Sequence, residues 1–365
     1  MRHFLLGLLL WFCVPVAAAD ALPWIKVSAD GRGFVEEETG KAFLPWGVNY
    51  DHDAQGRLIE DYWDSEWEAI VGDFQEMRKL GANSVRIHLQ FGKFMHAADQ
   101  PNPAALQQLE RLVKLAEQER LYLNLTGLGC YHRQDVPAWY DALDEAARWQ
   151  AQAHFWKAIA SRVKDSSAVF CFDLMNEPVV PGGQRKAGDW LGPPFAGKHF
   201  VQVITLDQAD RPRPEIAAEW IHTLVTAVRT VDRRHLITVG LVDWSLDRPG
   251  LTSGFVPDQI AVDLDFLCVH LYPEKGRLED ALTTLQGFQV GKPVVVEEMF
   301  PLKCSAQELD EFVVRTRPVA AGWFSFYWGK DLDSLQTSSS LGDALLAQWL
   351  EFFRRRADRL QPVAP

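Results

Sequence analysis

The sequence predicts an α/β fold, a (β/α)8 TIM barrel with a short N-terminal β-hairpin, on three observations. Apolar strand-like runs alternate with segments of helical period along most of the chain. The length of 365 residues suits one large barrel or two average domains, and no repeat, low-complexity segment or linker divides it. Polar and charged residues gather where the strands end, and those ends carry the chemistry of barrel proteins.

Residues 1–19 are expected to be a signal peptide and not part of the fold. Arg2 and His3 precede the apolar run Phe4 to Val16, followed by Ala17-Ala18-Ala19, a secretory pattern with cleavage before Asp20. The run is too short for a transmembrane helix. Cys13 invites a lipoprotein reading, but Trp11 and Phe12 stand where a lipid-attachment site wants small residues. The expected protein is therefore secreted or periplasmic, with residues 20–365 forming one domain free of the membrane. A monomer is expected.

From Ile25 to Phe43 the chain alternates and turns at Asp30-Gly31-Arg32-Gly33 and Thr39-Gly40-Lys41, which predicts a hairpin closing the barrel's bottom. Ala42 to Asn49 is the first expected strand. The helix Asp64 to Leu80 follows, with Trp67, Ile70, Val71, Phe74, Met77 and Leu80 near 3.6 spacing. Asn83 to Leu89 is the second strand, and Pro103 to Gln118 its helix. Leu121 to Thr126 and the helix Asp144 to Val163 come third. The fourth strand begins at Val169 and ends in an Asn-Glu-Pro corner. Pro181 to Arg213 is then rich in Gly, Pro and charge, longer than most connections, as functional lids and insertions are. Pro214 to Val231 returns as a helix. Leu236 to Leu241, Phe266 to Leu271, the run after Lys292, and Ala321 to Tyr327 complete eight strands. Gly342 to Arg356 is the closing helix, and the fifth crossover shows no clear helix.

The chain is 47% hydrophobic and 12% aromatic, a globular composition, and its formal charge is −12. With a pI near 5.3 this argues against nucleic acid and against an anionic membrane surface as partner. Once the leader is removed, Cys130, Cys171, Cys268 and Cys304 remain in an oxidising compartment. Cys171 and Cys268 fall on the expected fourth and sixth strands, and two steps of ~4.8 Å exceed the ~7 Å Cα limit for a bridge. Free thiols are expected, and nothing has a metal spacing.

In a parallel barrel the carboxyl ends share one mouth. Asn49 and Tyr50, Arg86 and His88, Thr126, Asn176 and Glu177, Asp243 and Trp244, His270 and Tyr272, Glu298 and Trp328 are expected there. Singly each has a dull explanation: a structural ion pair for Arg86, a satisfied core histidine for His270, a core aromatic for Trp328. Together they fit glycoside hydrolysis. One carboxyl group must hold a proton for the leaving oxygen while a second, ionised, attacks or steers water. Asn176 can bond a substrate hydroxyl, and Arg86 near a carboxylate would lower its pKa. Tyr272 can donate to that same oxygen. Trp46, Trp244 and Trp328 are candidate plates for stacking on sugar rings.

The ordered segments F-V-E with G-K-A-F-L-P-W-G-V-N, then S-V-R-I, D-L-M-N-E-P, V-H-L-Y-P and P-V-V-V-E-E, with a Trp ending strand eight, resemble family 5 of the glycoside hydrolases. The resemblance runs from about Gly33 to Phe353. It implies a retaining barrel enzyme in which Glu177 is the acid/base and Glu298 the nucleophile. Arg86, Asn176, His270, Tyr272 and Trp328 map onto supporting residues. Strand alternation lets only one of Glu297 and Glu298 face the mouth, and the resemblance picks Glu298, with Glu297 turned to the opposite face. Two departures stand out: Thr126-Gly127-Leu128 occupies the place of a family histidine, with His132 a doubtful substitute, and Met299-Phe300 follows Glu298 where a glycine is frequent.

The expected activity is double displacement on a β-linked polysaccharide or oligosaccharide, endo-β-1,4-glucanase or β-mannanase-like, without a cofactor. Exo action or transglycosylation by the same intermediate are alternatives. A non-catalytic carbohydrate-binding barrel would not need both glutamates. A metal-dependent barrel hydrolase is prompted by Asp51-His52-Asp53, but such enzymes show His-x-His there, and a solvated turn is the simpler reading.

Overall fold

The computed structural model describes residues 21–248, 250–326 and 328–360, so the expected leader lies outside the described residues. Eight parallel strands close on themselves: Trp46–Tyr50, Ser84–Gln90, Tyr122–Gly129, Val169–Asn176, Leu236–Val242, Leu267–His270, Val294–Met299 and Gly322–Ser325. The last pairs with the first, Trp323 against Trp46 and Ser325 against Val48. Buried on the barrel side and under helices on the other, these strands read as near-continuous apolar runs.

The first expected strand is two strands. Ala42–Phe43 pairs with Phe34–Glu36, which pairs with Ile25–Val27, so the N-terminal element is a three-stranded antiparallel sheet. Pro45, which has no N–H to give a ladder, separates it from Trp46. This sheet closes the amino end of the barrel as expected: the Phe34 ring meets Phe170 and Phe266 edge-on, both at 5.1 Å, and Phe43 meets Tyr122 at 4.7 Å.

Local chemistry sets the helix limits. Pro103–Glu119 starts at Pro103 behind an Asn102 cap that accepts from the Ala104 N–H, and Glu145–Val163 starts behind Asp144, which accepts from Ala147. Ala306–Thr316 opens with a reciprocal Ser305–Glu308 capping box. Trp67–Lys79, Arg213–Arg229, Leu278–Gly287 and Leu341–Leu360 complete the layer. The fifth crossover carries only the short turns Asp243–Ser245, Pro257–Ile260 and Ala261–Asp263. The segment after strand four is loop apart from Gln202–Val203, which pairs with Pro178–Val179 beside the mouth.

The four described cysteines are free, and Cys130, Cys171 and Cys268 are buried. Strand five separates the strands of Cys171 and Cys268, as expected. No helix among the described residues is long and apolar enough to cross a membrane.

Candidate active site

Arg86 organises the upper barrel. It is fully buried, and its guanidinium donates from Nη1 to Glu298 Oε1 at 2.6 Å and Asn49 Oδ1 at 3.0 Å. From Nη2 it donates to Asp173 Oδ2 at 2.7 Å and Asn176 Oδ1 at 3.0 Å, with Glu297 Oε2 at 3.4 Å. A buried guanidinium survives only with such carboxylates around it, and their charge carries its pKa well above normal although burial alone would lower it. Room for this cluster is kept by Gly240 on strand five. A Cβ there would come within 3.0 Å of Arg86 Nη2, Glu297 Oε2 and His270 Nε2.

Glu177 sits at a left-handed φ of +49° directly before Pro178, a strained corner that ends strand four. Its side chain is 18% exposed, so solvent reaches it, and its Oε1 lies 2.9 Å from His270 Nδ1. The Nδ1 of His270 is also 3.5 Å from Glu298 Oε2, and its Nε2 is 3.4 Å from Glu297 Oε2. Burial opposes a charged imidazole, but Glu298 and the hydrogen bonds to Glu177 and Glu297 raise its pKa to about 10. His270 is thus an imidazolium that donates from both nitrogens.

Glu298 is held at both oxygens, by Arg86 on Oε1 and by the Tyr272 hydroxyl, which donates to Oε2 at 2.7 Å. Burial raises its pKa, His270 and Arg86 pull the other way, and nearby Glu177 adds to the rise. Arg86 was expected to leave this carboxyl depressed. Its effect is present, but burial outweighs it. Tyr272 stays a phenol, because burial and Glu298 push its pKa well up.

Glu297 does not turn to the opposite face. It is fully buried inside the barrel, where Asn124 Nδ2 donates to its Oε1 at 2.5 Å. The ladder explains this: Val269 pairs with Val296 but His270 with Glu298, a register shift that breaks the alternation at residue 297. Burial would raise the Glu297 carboxyl, yet Arg86 and His270 hold it at about 2.

The structure brings Asn49, Arg86, Asn176, Glu177, His270, Tyr272 and Glu298 together, and His88 and Thr126 join from below. Thr126 donates to Asp173 Oδ2 at 2.7 Å. Burial and Glu297 push that aspartate up to about 6 despite Arg86. His88, held neutral by burial and by Arg86, lies 3.2 Å from Asn49 Oδ1 through Nε2. Since Asn49 Nδ2 donates to the carbonyls of Glu297 and Ser325, its Oδ1 is the acceptor, and the His88 proton sits on Nε2. His88 Nδ1 therefore accepts from the Tyr131 hydroxyl at 2.5 Å. Tyr131, not His132, fills the mouth after strand three.

Two tryptophans do not offer open faces. Trp46 is 3% exposed and stacks on Phe353 of the closing helix, and Trp328 is 2% exposed with its backbone N–H donating to Asn49 O. The aromatic beside Tyr272 from the end of strand eight is Phe326, with centroids 6.4 Å apart. Trp244 does line a cleft of 460 Å³, with Glu177, Tyr272, Arg248, Arg277 and the exposed Phe195. Asp243, exposed, lies at its edge. Asp173, Asn124, Tyr131, Phe200 and Phe326 were not anticipated. For Asp173 a signal existed, since a charge inside a strand buried on both faces demands a partner.

The turn after strand one is not simply solvated: Asp53 accepts from the Gln55 and Arg57 backbone, but Asp51 is 1% exposed. Glu177, His270 and Glu298 offer three ligand atoms all within 4.8 Å of one another. A metal ion there would have to displace the protons of His270 and compete with the Arg86 charge on Glu298. The set is built as a hydrogen-bonded acid pair.

Solved structures resemble the chain in fold at low identity. An exo-beta-1,4-mannosidase from Opitutaceae bacterium strain TAV5 aligns at 18% identity and TM-score 0.65 over 93% of this chain, which spans 64% of that protein. A GH5_18 protein from Streptomyces cattleya, in complex with Manb1-4GlcNAc, aligns at 18% identity and TM-score 0.64, over 88% of this chain and 82% of that one. A beta-1,4-mannanase from the sea hare Aplysia kurodai gives 16% identity and TM-score 0.59, over 91% and 96%. No curated protein matches the chain by sequence. The Cellulase (glycosyl hydrolase family 5) model matches residues 51–302, most of the barrel and both glutamate-bearing corners, and the chain therefore belongs to glycosyl hydrolase family 5.

Proposed function

We propose that the protein is a retaining hydrolase of β-1,4-mannosidic linkages, working by double displacement. The observation that carries the mechanism is the closeness of the two carboxyls, since oxygens of Glu177 and Glu298 and His270 Nδ1 all lie within 4.8 Å of one another. Retaining enzymes keep about 5–5.5 Å between their carboxyl groups and inverting ones about 6.5–9.5 Å, the extra room being for a water.

In this reading Glu298 attacks the anomeric carbon, oriented by Arg86 and Tyr272. The partly exposed Glu177 protonates the departing oxygen and then, as base, takes a proton from the water that cleaves the glycosyl-enzyme. His270 bridges the two carboxyls and holds Glu177 at the bond to be broken. The 460 Å³ cleft borders Glu177 and not Glu298, so it belongs to the leaving group. The choice of mannose rests on the mannosidase and mannanase likenesses alone. An N-terminal leader would place the enzyme outside the cytoplasm.

Azide rescue tests both roles. In Glu298→Ala with an activated aryl β-mannoside, azide should enter from the vacated side and give the α-glycosyl azide. In Glu177→Ala it should open the glycosyl-enzyme and give the β-azide. An α-configured first product from wild type, read by NMR, would refute retention.

A further inference from the structure

Beyond strand one, Asp51 is 1% exposed and neither carboxylate oxygen has a hydrogen-bond partner. The closest approach of His52 is 3.8 Å, too long for a hydrogen bond. A buried carboxylate without donors is costly, and a donor brought in from outside the chain would satisfy it.

Lys198 is the second group. It is 6% exposed and lies in a tight hairpin where Phe195 and Lys198 exchange backbone hydrogen bonds of 2.8 and 3.0 Å. Its Nζ lies 3.5 Å from the place a Cβ on Gly56 would occupy, so the hairpin meets the turn after strand one. Among the described residues no ion pair engages this ammonium, although its charge acts on Asp51. The two opposite charges are near but do not touch.

Neither lines the leaving-group cleft, and both are tied by chain neighbours to the residues around the catalytic pair. Asp51 follows Asn49, which holds Arg86 and His88. Lys198 precedes His199, whose N–H donates to Tyr131 O at 2.9 Å, and Phe200, whose ring meets Tyr131 at 4.9 Å. The same hairpin lends Phe195 and Val201 to the cleft on its other side.

We propose that Asp51 and Lys198 hold neighbouring hydroxyls of the terminal, non-reducing sugar, so that the enzyme removes single units from chain ends. This deepens the glycosidase reading and rests on it. A vicinal diol fits both groups: one hydroxyl donates to the carboxylate, and the next accepts from the ammonium. A chain running on through this place would replace one hydroxyl by a glycosidic ether, lose that donor, and meet the hairpin where it abuts Gly56.

The test uses a reducing-end-labelled β-1,4-manno-oligosaccharide with wild type, Asp51→Asn and Lys198→Met. Wild type should release unlabelled mannose while the labelled chain shortens one unit at a time. Each variant should melt near wild type and lose about tenfold or more in kcat/KM, equally on the oligosaccharide and on a dinitrophenyl β-mannoside, because the terminal unit is common to both. Should one variant fail to fold, the other and the wild-type product series still decide. Early labelled fragments from internal cleavage, or unchanged kcat/KM in a folded variant, would overturn chain-end recognition and leave the glycosidase reading standing. Silence of wild type on every β-glycoside would remove that reading, and this inference with it.

Discussion

Two adjacent glutamates, Glu297 and Glu298, should respond with opposite signs to the same substitution. The Glu297 carboxyl falls from 4.5 to about 2 in the folded protein, because Arg86 and His270 outweigh burial. A folded pKa below the unfolded one gives stability that is present above about pH 4.5 and lost as pH falls toward about 2. At about 1.4 kcal/mol per unit, the shift is worth about 3 kcal/mol at neutral pH. Glu297→Gln should lose stability on that order, and more if an amide N–H then faces Asn124 Nδ2 without an acceptor. Glu298 is shifted the other way, with burial first among the causes, so ionising it costs stability. Glu298→Gln should therefore be neutral or stabilising at neutral pH while turnover falls on the order of a thousandfold or more. Urea unfolding of both variants and wild type from about pH 3 to 8, beside turnover of an aryl β-mannoside, reads both. Equal destabilisation by the two substitutions would refute the assignment, as would an unaltered acid slope in Glu297→Gln.

Further outcomes follow from other buried groups. Burial raises the Glu60 carboxyl to about 7 against its hydrogen bond from the Gln90 N–H, so the native state binds the extra proton between about pH 4.5 and 7 and stability falls as pH rises through that window. Glu60→Gln should remove the slope and add up to about 3 kcal/mol at pH 8, and a variant no more stable than wild type by thermal melts there would contradict this. Gly240→Ala should push the Arg86 cluster apart, costing about 1–3 kcal/mol and most of the activity; full kcat/KM would show that the cluster has slack. Thiol titration of the native protein should find Cys304 first, since it is half-buried and its pKa reaches only about 11, while Cys130, Cys171 and Cys268 should react on unfolding. Fewer than four reactive thiols in denaturant would mean that a disulfide had formed.

The sequence by itself determined the barrel and most of the mouth. Strand runs such as V-F-C-F-D-L-M-N and K-P-V-V-V-E-E have a local period that needs no partner to be read, and a parallel barrel then sends every strand end to one side. Asn49, Arg86, Glu177, His270 and Tyr272 were legible for that reason, and Glu298 was told from Glu297 only by the family resemblance. What fails is any inference from alternation across a bulge. The pairing of strand seven with its neighbours slips at residue 297, and that slip, made by contacts between distant segments, turns Glu297 inward. Burial is equally non-local. Trp46 and Trp328 look like sugar platforms in a linear reading, and only packing against Phe353 and the strand-one backbone hides them. The balance between desolvation and charge that separates Glu297 from Glu298, and the hairpin that carries Lys198 to the turn beyond Asp51, depend on groups far apart in the chain. Tertiary structure alone decides such terms, because electrostatic energies depend on distance and burial in space and not on separation in sequence.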